Sequence, residues 1–327
     1  MADKIRWGIL GTGTIARKFA TGLKAAPGAE LAAVGSRSQV TADEFGNTFG
    51  VPRRHASYEA LASDPEVDVI YISTPHPLHK DNSLLCLEAG KAVLCEKPFT
   101  INAGEAEAMI NLARQKGLFL MEAMWTRYLP AVIKTRQIVA DGILGEIRMI
   151  MADFGFRIEF DPKHRLFAPE LGGGALLDAG VYPISFTSMI FGSPTRVMSM
   201  AHLGETGVDE QAAILLEHEG GRLALVATVL RADAPSHVIL IGTRGRLTVH
   251  APIYCPTRLT LTLDGRDEII DAPLEGNGYN YQAAEVMNCL RAGKLESEIM
   301  PLAETLAIMK TMDQIRAPWG LKYPTEE

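Results

Sequence analysis

The chain reads as an α/β protein in two parts: a doubly wound, mostly parallel sheet, then an α+β part with an open, mostly antiparallel sheet. Three observations predict this. Short continuous apolar runs alternate with helical patterns up to about residue 122, as parallel strands joined by crossover helices do. A Gly-x-Gly-x-x-Ala sequence stands between the first run and the first helix. From Arg196 to Ile270, strand-length segments follow one another with glycine and proline punctuation and no crossover helices, so antiparallel pairing is expected there. The expected domains are residues 1–122 and 123–327, with the option that the last helices pack back on the first.

Composition narrows the function classes. With 327 residues and 47% hydrophobic content, the chain can fill two sizeable cores. Its formal net charge is −7 at pH 7, without basic blocks or interleaved arginines and aromatics, so no nucleic-acid surface is expected. Cys86, Cys95, Cys255 and Cys289 make no Cys-x-x-Cys pairing, which argues for reduced thiols and a cytoplasmic location. The chain enters a strand almost at once, leaving no room for a signal peptide, and no apolar run approaches membrane-spanning length. No membrane partner is expected.

Taken in order, Lys4 to Leu10 is an apolar strand, and Gly11-Thr12-Gly13-Thr14-Ile15-Ala16 leads into a helix through Leu23. Gly11 permits the tight turn, Gly13 lets backbone approach a pyrophosphate, and Ala16 allows close helix–strand packing, so the segment is a dinucleotide-binding fingerprint. The second strand, Glu30 to Gly35, runs into Ser36-Arg37-Ser38, where an NAD site usually carries an acidic residue. A guanidinium and two hydroxyls suit a 2′-phosphate, so NADP(H) is favoured over NAD(H); the plain alternative is a solvated Arg37. A helix near residues 40–49, a short strand at 52–55 and a small helix at 57–62 follow. Val67 to Ser73 is another buried strand, and Thr74-Pro75-His76-Pro77-Leu78-His79 opens a helix to about Glu88. His76 and His79 stand three apart without a third ligand nearby, so no metal is expected and they are assigned to the cofactor crevice or its supporting shell. Lys91 to Pro98 is an apolar strand ending on Glu96 and Lys97, which puts charge at the carboxyl end of the sheet. A helix follows, with Asn102 and Glu105 spaced as a capping box, and Leu118 to Met121 closes the parallel set.

In the second part, residues 130–140 read as a helix, Ile147 to Phe156 as a strand, and Gly172-Gly173-Gly174 introduces a helical run from Ala175 to about Ile190. Within that run Asp178 and Tyr182 share a face at i and i+4, about 5–6 Å apart at their Cβ atoms. An ordinary helix, with a capping Asp and a packing Tyr, would satisfy the same spacing. The glycine run permits close approach of backbone to a ligand and favours a site. A hairpin is expected at Thr243 to Arg246, and late helices near residues 279–291 and 303–316.

Gly11 to Ala16, Ser73-Thr74-Pro75 with His79, and Glu96-Lys97-Pro98 together resemble the glucose–fructose oxidoreductase, inositol dehydrogenase and rhizopine catabolism (Gfo/Idh/MocA) family. Met121 to Tyr128 is similar to its dimeric dihydrodiol dehydrogenase and D-xylose dehydrogenase branch. The resemblance spans the chain and implies a Rossmann domain followed by a domain whose open sheet many members use to form dimers, so a homodimer is expected. Leu177 to Tyr182 is similar to the family's Asp-x-Gly-x-Tyr motif, where many relatives carry His in place of Tyr182.

The chemistry implied is hydride transfer between nicotinamide C4 and a carbinol carbon, which leaves a hydroxyl proton for a base. Tyr182 is the candidate. A phenol, ordinarily near pKa 10, needs a nearby ammonium to act at neutral pH, and Lys97 is assigned that role or the proton donation itself. Asp178 would orient a substrate hydroxyl or the lysine, and Glu96 would hold the nicotinamide end. By the resemblance, Trp125, Phe154 and Tyr279 line the substrate side, and Arg127 and Arg165 touch the cofactor or its amide, although the surroundings of Arg165 depart from a Trp-Arg pairing some relatives carry. The three aromatics could equally be core. The expected substrate is an aldose such as xylose or a cyclic trans-diol, with dicarbonyl reduction as reverse chemistry. The alternative is a non-catalytic NADP(H) sensor on the same fold.

Overall fold

A computed structural model describes residues 4–326. The first stretch contains β1 (Ile5–Leu10), α1 (Thr14–Leu23), β2 (Ala29–Gly35), α2 (Gln39–Phe49), β3 (Arg53–His55), α3 (Tyr58–Ala62), β4 (Val69–Ile72), α4 (His79–Glu88), β5 (Ala92–Glu96), α5 (Ala103–Lys116) and β6 (Leu120–Ala123). The second contains α6 (Pro130–Ala140), β7 (Ile147–Gly155), α7 (Val181–Phe191), β8 (Arg196–Leu203), β9 (Asp209–His218), β10 (Arg222–Val229), β11 (Val238–Gly242), β12 (Gly245–Val249), β13 (Arg258–Leu263), β14 (Arg266–Asp271), α8 (Tyr279–Arg291) and α9 (Leu302–Arg316).

The chain divides into two compact units, one of residues 1–100, 104–125 and 275–305, the other of residues 101–103, 126–274 and 306–327. In the first, six parallel strands are ordered β3-β2-β1-β4-β5-β6. β4, β5 and β6 are buried along their whole length, which is why they read as unbroken apolar runs. Strand order reverses between β1 and β4, where Leu10 pairs with Ile72. That switch point is where an open α/β sheet binds its ligand. The expected late helix α8 belongs to this unit, with the Asn277 amide donating to the Lys18 carbonyl at 2.8 Å.

The second unit holds an eight-stranded sheet ordered β14-β13-β12-β11-β7-β10-β9-β8. Pairing is antiparallel except between β7 and β10, which run parallel, so antiparallel pairing holds for most of the sheet and not all of it. β8, β9 and β10 alternate between covered and open positions, as strands with one buried face do. The open face is apolar: Met151, Met198, Met200, Leu215 and Leu225 line a groove of about 580 Å³.

Several local readings are corrected. The helix expected from Ala175 begins as a π-turn, Leu176–Gly180, before α7 takes over. The stretch Pro169–Phe191 is, by length and composition, long and apolar enough to cross a membrane, contrary to the expectation that no such run exists; 83% of its apolar window is buried inside the protein. The start of α5 is also tied to remote carboxylates: the Asn102 amide nitrogen donates to Glu326, and the Ala103 N–H donates to Asp313 at 2.8 Å, contacts the sequence reading did not foresee.

Candidate functional site

The dinucleotide half lies on the first unit. Gly11 has φ +103°, and a Cβ there would stand 2.9 Å from Ser73 Oγ, so the turn after β1 admits only glycine. Ser73 Oγ donates to the Leu10 carbonyl at 2.8 Å and ties the turn to the end of β4. Gly13 opens α1 with extended backbone, and a Cβ there would meet nothing within 4 Å. Thr12, Thr14 and Ile15 are part or fully exposed beside it, while Ala16 is buried against the sheet. No side chain caps this helix start, which leaves the N–H groups of the first turn of α1 available to a pyrophosphate.

At the end of β2, Ser36 is buried with Oγ 2.6 Å from Thr41 Oγ1, and Arg37 and Ser38 are exposed. Arg37 lies beside the Tyr58 hydroxyl. No carboxylate stands at residues 36–38.

Thr74 and Pro75 follow β4, with Thr74 Oγ1 accepting from the Asn82 amide at 3.0 Å. His79 has no exposed surface, and its two ring nitrogens lie 2.9 Å from the carbonyls of Pro98 and Thr74. Burial holds the ring below its ordinary pKa, so it is neutral and donates to one carbonyl at a time. Of the two uses expected for His79, cofactor contact or support, this geometry serves support: the ring is a strut joining the loops after β4 and β5. His76, partly exposed, sets its ring edge-on to His79 at 5.7 Å. Glu96 is also turned inward. Its carboxylate accepts from the Tyr71 hydroxyl and from the Lys97 N–H, with Tyr71 itself stacked on Phe19 at 3.8 Å. The partly exposed Lys97 thus leaves β5 over a braced carboxylate, ahead of a cis peptide bond to Pro98.

Trp125 and Tyr279, both nearly buried, stack in this unit with centroids 4.3 Å apart and planes 10° from parallel. They are brought together from positions far apart in sequence. Phe154 lies in the other unit.

Asp178 and Tyr182, the candidate acid–base residues, lie on the second unit. Asp178 sits in the π-turn, a form of helix frequent at functional sites, and Tyr182 in the first turn of α7. Arg165 donates to Asp178 through Nη1 at 2.9 Å and Nη2 at 3.5 Å, with the carboxylate 9% and the guanidinium 53% exposed. Arg165 was expected at the cofactor; its partner here is the candidate catalytic carboxylate. The Arg127 guanidinium, also expected at the cofactor, is buried and donates to Ser185 Oγ at 3.1 Å and to the Ser185 carbonyl at 2.7 Å, tying Arg127 to α7. Tyr182 meets Phe154 edge-on at 5.6 Å, and Tyr254 packs on both at 5.3 and 6.1 Å. Sequence reasoning missed Tyr254; its one signal is a tyrosine held between Pro252 and Pro256, where no strand pattern explains it. It also missed Tyr71, whose hydroxyl within an apolar strand needed a buried partner. Among the described residues, no group of three or more His, Cys, Asp or Glu side chains is arranged to hold a metal ion.

Family models match both units. The oxidoreductase family with an NAD-binding Rossmann fold, GFO_IDH_MocA, covers residues 5–124, and the GFO/IDH/MocA C-terminal domain covers residues 132–248. The chain belongs to the Gfo/Idh/MocA oxidoreductase family. It is 38% identical to the trans-1,2-dihydrobenzene-1,2-diol dehydrogenase of Mus musculus, over 99% of each chain. Solved Gfo/Idh/MocA-like structures include KijD10, a 3-ketoreductase from Actinomadura kijaniata in complex with NADP and TDP-benzene, at 26% identity and a TM-score of 0.87 over 96% of this chain and 98% of that one. The aldose-aldose oxidoreductase from Caulobacter crescentus, complexed with glycerol, matches at 25% identity and a TM-score of 0.89 over 96% and 97%. This Gfo/Idh/MocA chain is thus an oxidoreductase with a nicotinamide-dinucleotide-binding Rossmann domain and a C-terminal domain of mostly antiparallel sheet.

Proposed function

We propose that the protein is an NADP(H)-dependent dehydrogenase that moves hydride between nicotinamide C4 and a hydroxyl-bearing carbon of a cyclic trans-diol or an aldose such as xylose, and that it works in the cytoplasm. The observation that carries the reading is the Asp178–Tyr182 segment: a buried helix start with a guanidinium-paired carboxylate, a phenol, and an aromatic wall of Phe154 and Tyr254 beside it. The first relatives are named for a dihydrodiol substrate, and a solved neighbour for an aldose.

In this reading the cofactor supplies the hydride chemistry, and Gly11 to Ile15, Thr74, Pro75 and Lys97 hold and orient it. Arg37 with Ser36 and Ser38 takes the 2′-phosphate, by a charge-assisted fork that a carboxylate at this place would repel. Tyr182 passes the proton at the substrate oxygen, assisted by Lys97, whose positive charge favours phenolate. Asp178, oriented by Arg165, holds a second substrate oxygen. The aromatic faces of Phe154 and Tyr254 in the second unit, and those of Trp125 and Tyr279 in the first, each suit a flat or ring-shaped substrate with few anchoring polar groups. The open apolar face of the second sheet supports a homodimer formed through that sheet.

The test is Tyr182→Phe and Lys97→Met, made separately. Each is expected to lower kcat by about 10²- to 10⁴-fold with NADP(H) binding retained. Near-normal turnover in both would sink the assignment. A sensor on the same fold would bind NADP(H) and turn over no substrate.

A further inference from the structure

We propose that Asp209 is a positioning residue for the helix carrying Asp178 and Tyr182: its carboxyl group, enclosed at the start of that helix, sets where those side chains stand. The proposal rests on the reading of Asp178 and Tyr182 as the acid–base pair. Asp209 is the first residue of β9 and has no exposed surface. Its Oδ2 accepts the Leu176 N–H at 2.7 Å, two residues before Asp178. Gly174, with φ +113°, makes the room, since a Cβ there would lie 2.3 Å from Asp209 Oδ1. The same turn is also held by the buried Tyr323, whose hydroxyl donates to the Gly173 carbonyl at 2.7 Å. The turn entering the π-helix is thus fixed by side chains remote in sequence. A carboxylate there also complements the positive end of the helix.

Asp209 Oδ1 has no hydrogen-bond partner among the described residues. Burial pushes this carboxyl up to about 7, against the Leu176 and Ala175 N–H groups and the charge of Arg316, which oppose the shift. The titratable and charged groups facing it are the Tyr323 hydroxyl and Arg316, the latter held by Asp313 and Glu326. A carboxyl raised in this way is favoured by the fold in its neutral form, so its ionisation as pH rises toward about 7 loosens the helix start relative to acid pH.

Asp209→Asn keeps the shape and removes the charge. The variant is expected to bind NADP(H) within about twofold of the parent protein, with kcat lowered about tenfold or more and KM changed less than about threefold. The limb of the kcat–pH profile near neutrality should flatten. Placed on Tyr182→Phe, the same change is expected to cost little more, because residues acting as a unit are not additive. Multiplying penalties, or unchanged kcat, would overturn the positioning role alone; normal turnover of Tyr182→Phe would overturn it together with the acid–base reading. A second measurement needs neither a folded variant nor a substrate: hydrogen exchange of wild-type peptides spanning residues 174–184, corrected for intrinsic rate, from pH 5 to 9. Protection is expected to fall as pH rises toward about 7 and to level off above it, and a flat or rising profile would overturn the proposal.

Discussion

Alanine at Gly11 and alanine at Gly13 separate backbone geometry from cofactor binding, two residues apart. At Gly11 the left-handed φ of +103° and a Cβ 2.9 Å from Ser73 Oγ both oppose a side chain. The backbone strain costs about 1–3 kcal/mol. Displacing Ser73 from the Leu10 carbonyl adds about 1 kcal/mol, so Gly11→Ala should lose about 2–4 kcal/mol in all. At Gly13 the backbone is φ −69°, ψ −176°, open to any residue, and the new methyl meets nothing. Its stability should change by no more than about 0.5 kcal/mol. If the pyrophosphate lies on that space, the methyl should cost about one charge-assisted hydrogen bond, roughly 1.5–3 kcal/mol, or about 10- to 100-fold in Kd. Denaturant unfolding reads the first quantity, and titration of nicotinamide fluorescence reads the second. NADPH binding by Gly13→Ala at the parent affinity would refute the placement of the cofactor, and a Gly11→Ala protein as stable as the parent would refute the strain argument.

Other expectations follow from the same reasoning. Arg37→Ala should weaken NADP(H) by about tenfold or more while leaving NAD(H) nearly unchanged; equal losses for both in paired titrations would argue against a 2′-phosphate contact. Asp64, buried and held by Arg53 at 2.5 and 2.7 Å and by His55 at 2.7 Å, has its carboxyl well below the usual range, these partners outweighing the burial that pushes it up. A depressed folded-state value stabilises above the unfolded pKa near 3.8 and is lost as pH falls further. Asp64→Ala should therefore cost about 1–2 kcal/mol near neutrality, less than for a fully buried pair because Arg53 is 41% exposed, and show a shallower loss of stability below pH 4 in acid titrations followed by circular dichroism. If the proposed homodimer forms through the second sheet, Met200→Glu, at a position 79% exposed on its open face, should yield monomer in light scattering; a dimer that survives would place the interface elsewhere.

The parallel sheet was legible because β4 and β5 are buried on both faces and cannot carry polar alternation. The glycine turn was legible because a positive φ leaves little choice of residue. The parallel pairing of β7 with β10 was not, since side-chain alternation records which face is covered and is silent on strand direction. The π-turn was hidden for a related reason: Leu176 to Phe186 is buried on every side, so no polar stripe reports the winding. Arg165 meets Asp178 across a loop without periodicity, and Arg127 donates to Ser185 inside the second unit. Charge type was readable at both arginines; the partner depended on the fold. His79 shows the same limit in reverse, because a histidine near a cofactor loop reads alike whether it touches the ligand or braces the loop.

The most direct test mixes the purified protein with NADP and a panel of aldoses and cyclic trans-diols while following reduced-nicotinamide absorbance. A steady rise with at least one diol or aldose, and a much weaker one with NAD, is the result expected of an NADP(H)-dependent dehydrogenase. Tight NADP binding with no rise from any member of the panel would contradict that reading and favour a sensor.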